Sequence, residues 1–241
     1  MMGWRARIGF LVPPGNPTVE SEMAELAPAG VSVHFTRMSA SGPAGTHAGQ
    51  EERNRSQIAT LDDATRLLAM ISPQVIVMAH TATSYTLGRE AEAELVRRQE
   101  AESGTRFITA FGSVLEALGY LGARRIAYAT PYNAELTEQG RAHLALHGLD
   151  VVGVARLEGV RNIYEETTER AYAVGRRADR PEADAVFLSG TGMPTLAMLQ
   201  VLEDDLGKPV ISAASAMMWN ALRVAKVSSR RDGYGRLFAG R

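Results

Sequence analysis

Short, nearly uninterrupted apolar runs alternate with longer segments of helical period along the chain. The runs Ala6–Val12, Val31–Thr36, Val75–Ala79, Arg106–Ala110, Arg125–Ala129, Asp150–Arg156, Ala185–Ser189 and Pro209–Ser212 read as strands. Several, such as VIVMA and AVFLS, are apolar throughout, the pattern of a strand covered on both faces in a parallel sheet. Amphipathic segments between them predict helices over Thr18–Leu26, Glu51–Ile71, Glu90–Glu102, Ser113–Leu121, Ala134–His147, Tyr164–Ala178, Thr195–Leu206 and Ala214–Val227. This alternation predicts βαβ units and an α/β class.

The pattern also repeats once. The first strand runs into FLVPPGNPTVE and the fifth into YATPYNAELTE, each placing Pro and then Asn just before a helix. The third strand runs into VIVMAHTATS and the seventh into AVFLSGTGMPT, each placing His or Gly and then Thr there. Duplication of a four-strand unit explains both pairs at once. Ligands of open α/β sheets bind beyond the carboxyl ends of the strands. Two facing units would therefore line one cleft with Asn16, His80, Thr81, Tyr132, Asn133, Gly190 and Thr191.

Composition narrows the partners. The 26 basic and 27 acidic side chains give a net charge of −1, with no basic block. Nucleic acid is not expected as a partner. The longest apolar runs are about five residues, so no membrane span is expected. The start, MMGWRARIGF, has no signal-peptide pattern, and a cytoplasmic location is expected. The 241 residues fit one large domain or two small ones. The chain has no cysteine, which excludes disulfides, thiolate metal sites and a cysteine nucleophile. His143 and His147 are spaced i, i+4 but lack the HExxH pattern and read as the end of a helix, so no metal site is assigned.

Each strand-end motif has a plain and a chemical reading. In PPGNP, Asn16 is an N-cap or a substrate-facing amide. In AHTATSY, His80 stands beside hydroxyls and backbone N–H groups entering a helix, a setting for anion binding and proton transfer; the plain reading is a loop-bonding histidine. In SGTGMPT, Gly190 and its neighbours form a nest for a carboxylate or simply a tight turn. It is neither a complete GxGxxG nor a P-loop. In TPYNAE, Tyr132 is an acid or donor, or a packing tyrosine. Asn162 reads as an N-cap. The small-residue stretch 39–50, with His47, reads as a lid or an exposed loop. Met217, Met218 and Trp219 read as helix packing, and the segment from Ser228 onward as a tail or an oligomer contact.

Taken together, FLVPPGNPTVESE, VIVMAHTATSY, TPYNAEL and VFLSGTGMPTLAMLQVLEDDLGKPVISAASAMMWNALR resemble the aspartate/glutamate racemase superfamily, in its branch of maleate cis-trans isomerases and arylmalonate decarboxylases. The resemblance covers most of the chain. It implies two Rossmann-like lobes with four-stranded parallel sheets related by pseudo-twofold symmetry: residues 1–112 with 213–241, and residues 113–212. It implies a small carboxylate or dicarboxylate held between them, with no cofactor, and a homo-oligomer is the default for such an enzyme. By position, Asn16, Tyr132 and Asn162 would hold carboxylate oxygens, and Thr81 and Thr191 would stabilise an enolate-like intermediate. Where these enzymes use cysteines, this chain has His80 and Gly190. The expected activity is therefore a maleate isomerase or racemase-like reaction with His80 as the single acid/base. The alternatives are an arylmalonate decarboxylase-like lyase and a non-catalytic carboxylate-binding protein.

Overall fold

The computed structural model describes residues 2–42 and 44–240. The apolar runs form β1 (Ala6–Val12), β2 (Val31–Arg37), β3 (Val75–Met78), β4 (Arg106–Thr109), β5 (Arg125–Thr130), β6 (Asp150–Arg156), β7 (Ala185–Leu188) and β8 (Val210–Ser212). They build two four-stranded parallel sheets, ordered β2-β1-β3-β4 and β6-β5-β7-β8. The second order is the first shifted by four strands, the topology a duplication predicts. β3 and β7 lie inside their sheets and every residue of each is buried, which accounts for their unbroken apolar sequence.

The helices are α1 (Thr18–Leu26), α2 (Gln50–Ala59), α3 (Leu61–Ala69), α4 (Thr81–Leu87), α5 (Arg89–Ser103), α6 (Ala110–Tyr120), α7 (Ala134–Leu146), α8 (Thr168–Ala178), α9 (Leu196–Leu206), α10 (Ala213–Val224) and α11 (Arg236–Ala239). Several differ from expectation, α11 among them, since the segment from Ser228 onward was expected as a tail or an oligomer contact. The helix expected over 51–71 is broken at Thr60, whose hydroxyl bonds back to the Ser39, Ser56 and Gln57 carbonyls. α4 is absent from the periodicity because its Thr- and Ser-rich sequence has weak helix propensity. α8 starts at Thr168, capped by the Thr167 hydroxyl, so Asn162 caps no helix.

Two helices tie the halves together. α6 and α10 pack along each other, and α10 reaches α1 and β3 of the first sheet. Met217 and Met218 are buried in the core that contains Phe10 and Val77, while Phe111 and Val114 of α6 join the core of Tyr128 and Phe187. The C-terminal stretch is anchored rather than free. Leu237 and Phe238 of α11 are buried, and Tyr234 donates to Glu25 at 2.9 Å. His143 is buried against Phe111, with its Nε2 3.6 Å from Glu92 Oε2. Among the described residues, no helix is long and apolar enough to cross a membrane.

Candidate active site

The carboxyl ends of β1, β3, β5 and β7 meet where the two sheets face each other, and polar side chains there bond across the junction. The Asn16 amide caps a helix with one end and reaches across the junction with the other. Its Oδ1 accepts from Thr18 N–H (2.9 Å) and Val19 N–H (3.2 Å), capping α1, while its Nδ2 donates to Thr191 Oγ1 at 3.2 Å. The Thr191 hydroxyl donates onward to the Ala79 carbonyl at 3.0 Å, beside His80. Thr81 Oγ1 and Tyr132 OH share a hydrogen bond of 3.0 Å. Asn16, His80, Thr81, Tyr132 and Thr191 are all buried and gathered in this one place.

His80 leads α4, with extended backbone angles. Its Nδ1 lies 2.7 Å from Thr83 Oγ1, and Nε2 has no hydrogen-bond partner among the described residues. Burial, with the positive charge of Arg53 as a second cause, lowers the imidazole pKa to about 4. His80 is therefore neutral at pH 7. Tyr132 is pushed the other way, well above the ordinary phenol range, chiefly by burial, and is a neutral phenol at pH 7. Two hydroxyl donors and a neutral imidazole thus converge at the mouth of β3.

Gly190 has a φ of +93°, a region where an L side chain is strained. A Cβ there would approach Pro131 Cγ to 2.8 Å and Tyr132 OH to 3.5 Å. The turn thus requires glycine, and the Tyr132 hydroxyl borders the space a side chain at 190 would enter.

Two candidates lie elsewhere. Asn133 Oδ1 caps α7 by accepting from Leu136 N–H (2.9 Å), and the residue lines an outer groove with His47 and Gln50. Asn162 accepts from Tyr164 N–H at 3.0 Å and donates to Glu165 at 3.1 Å, closing a local turn against Gly45.

That turn meets the loop 39–49, whose position 43 lies outside the described residues. Gly45 O accepts from Ile163 N–H at 2.8 Å, and His47 Nε2–H donates to Pro131 O at 3.0 Å. The loop therefore spans from the first sheet to the second, a lid-like placement. Tyr164 closes the same mouth. A Cβ on Gly15, Gly45 or Gly192 would come within 3.0, 3.0 and 2.7 Å of its ring, so three loops bring bare backbone to it.

Sequence reasoning missed several groups here. Tyr85 OH and Ser189 Oγ share a 2.9 Å bond across the junction. Glu22 Oε1 accepts from Thr195 N–H (2.5 Å) and Leu196 N–H (3.0 Å) at the start of α9, and burial raises its pKa to about 7. Arg53 donates to the Thr46 and Ala48 carbonyls of the loop. The acidic Glu in the middle of α1's apolar face was the one visible signal; Tyr85 sits in a segment without a helical period, and Arg53 and Ser189 read as an ordinary helix charge and an ordinary strand end.

The family model described as arylmalonate decarboxylase matches residues 8–238. The chain is 32% identical to the maleate isomerase of Nocardia farcinica, over 98% of this chain and 96% of that one. It is equally 32% identical to the arylmalonate decarboxylase of Bordetella bronchiseptica, over 96% and 95%. A solved structure of the Nocardia farcinica maleate cis-trans isomerase, a cysteine-to-serine mutant with a covalently bound succinylcysteine intermediate, superposes with a TM-score of 0.89 at 28% identity, covering 98% of this chain and 99% of that one. The two facing parallel sheets, the strand-end motifs and these matches agree: the chain belongs to the arylmalonate decarboxylase family.

Proposed function

We propose that this protein is a cofactor-independent isomerase acting on a small carboxylate, with His80 as its single acid/base. The observation that carries the reading is a neutral, buried imidazole whose Nε2 has no hydrogen-bond partner among the described residues, set among the donors Thr81, Thr191 and Tyr132. In this role Nδ1–H donates to Thr83 and Nε2 accepts a proton from the carbon beside the substrate carboxylate. The electron pair left on carbon moves onto the carboxylate oxygens. Hydroxyls of Thr81, Thr191 and Tyr132 and the Asn16 amide stabilise that enolate-like charge, which is worth most in a site that excludes water. In an unsaturated acid His80 then returns the proton, on the same face, to the far (γ) carbon of the delocalised anion, so that the double bond moves; return to the first carbon would only regenerate the substrate.

With no cysteine in the chain, an adduct like the succinylcysteine of the Nocardia enzyme has no counterpart here. Nor can Gly190 supply a second acid. A second reading is a carboxy-lyase, favoured by the family match: the carbon–carboxylate bond breaks, carbon dioxide leaves, and a water molecule supplies the proton to the enolate-like anion. A neutral imidazole at pH 7 favours the isomerase, whose first step needs a base.

Proton NMR in deuterated water, with a panel of maleate, aspartate, glutamate, hydantoin-like acids and substituted malonates, tests this. Deuterium entering one carbon, or a rearranged product, is expected, and His80→Ala is expected to abolish it with the fold intact. Loss of a carboxyl group would select the lyase. Binding without exchange for every acid would leave a non-catalytic carboxylate-binding protein.

A further inference from the structure

Arg53 is the only buried Arg or Lys among the described residues. Buried charges are ordinarily paired with an opposite charge, because desolvation of an isolated ion is costly. Arg53 has no acidic partner among the described residues; its guanidinium donates only to the Thr46 and Ala48 carbonyls of the loop over the cleft. Arg37, beside the same mouth, differs: its guanidinium is paired with Glu20 at 2.6 Å and bonded to the Pro13, Pro14 and Asn16 carbonyls. Glu51, two positions before Arg53, is turned to Arg55 at 2.7 Å. The groups that sense the Arg53 charge are His80 and Tyr164, both of which belong to the cleft and neither of which carries a negative charge at pH 7.

Two of five guanidinium N–H groups go to loop carbonyls, leaving further donors and a positive charge under the loop that spans the cleft, near enough for its field to reach His80. We propose that Arg53 is the charge-reading residue of this site: it pairs with a second anionic group on the substrate, separate from the carboxylate held by the hydroxyls of Thr81, Thr191 and Tyr132. Arg53 rather than the hydroxyls then discriminates a small dianion from a monoanion of the same shape. Because Arg53 also holds Thr46 and Ala48, the second anionic group is read at the root of the loop that spans the cleft. The arrangement deepens the proposed function and rests on its placement of the carboxylate.

The test measures binding by calorimetry with a matched pair, maleate and cis-2-butenoate, which differ by a carboxylate replaced with methyl. The wild-type protein is expected to prefer maleate by about tenfold or more, the range for one charge-assisted pair. Arg53→Gln is expected to lose that preference while its cis-2-butenoate affinity changes little, and Arg53→Lys to keep part of it. Equal weakening of both acids in Arg53→Gln would make Arg53 a loop strut only and overturn the proposal, as would an unchanged ratio or a wild type that does not distinguish the acids. Thermal melting checks that the variants fold. Proton exchange is scored separately in the wild type and His80→Ala. Charge-selective binding without exchange would defeat the acid/base reading and spare Arg53; exchange with an unchanged ratio would do the reverse.

Discussion

His80 and Glu22 should impose opposite pH dependences on stability that nearly cancel, and single substitutions should expose each. The His80 pKa falls from an ordinary 6.5 to about 4 in the folded protein, through burial and then Arg53. Between those values the unfolded chain binds the extra proton, so His80 makes stability rise with pH: it is lost as pH falls from 6.5 toward 4. At 1.36 kcal/mol per unit this is about 3 kcal/mol. Glu22 runs the other way. Its pKa rises from 4.5 to about 7, so the folded state holds the extra proton and stability falls as pH climbs from 4.5 through 7, again by about 3 kcal/mol. Urea denaturation between pH 4 and pH 8 measures both. His80→Gln should leave a stability that declines toward neutral pH, and Glu22→Gln one that collapses below pH 6. NMR titration of the His80 ring should give an apparent pKa near 4. An imidazole that titrates above about 6, or variants with the wild-type pH slope, would refute the reasoning and remove the case for a neutral base.

Two further substitutions probe the junction. Thr191→Val keeps the shape but leaves Asn16 Nδ2 and the Ala79 carbonyl without this partner; two weakened buried groups predict a loss of about 2–4 kcal/mol in urea denaturation, and a loss under 0.5 would mean that the bridge is dispensable. Tyr164→Ala removes the ring that three loops enclose. It should cost about 1–3 kcal/mol and speed hydrogen exchange of the 79–84 amides, whereas unchanged exchange would show that Tyr164 does not guard the mouth.

Much of the fold was legible because period and burial coincide. Strands such as Val75–Met78 are apolar throughout since sheet and helices cover both faces, and the repeated strand-end motifs predicted the repeated strand order. Where the sequence misled, a local bond outweighed the period. The Thr60 hydroxyl breaks the helix expected over 51–71, and Asn162 forms a turn where a cap was expected. In the site, Asn16, His80, Thr81, Tyr132 and Thr191 were visible as polar residues at strand ends. Arg53 was not, because on α2 it reads as one more charge on an exposed face; the preceding loop, whose Thr46 and Ala48 carbonyls it binds, helps to cover it.

The hydrogen-bond pattern also says what binding must exchange. Thr81 bonds Tyr132, Asn16 bonds Thr191, Tyr85 bonds Ser189, and each bond crosses between the halves. A carboxylate entering there must replace neutral bonds with charge-assisted ones, a gain of about 1 kcal/mol each at most after desolvation. Hydroxyls alone therefore make a weak anion site. The strong terms available are the groups whose electrostatic needs the protein leaves unmet: the free Nε2 of His80 and the buried charge of Arg53. These two are coupled, since Arg53 is part of what keeps His80 neutral. An anion placed against Arg53 cancels that influence and raises the His80 pKa, making the imidazole a better base once substrate is in place. Arg53→Gln should likewise shift the His80 titration upward without any ligand, which connects charge recognition and proton transfer through a single measurable quantity.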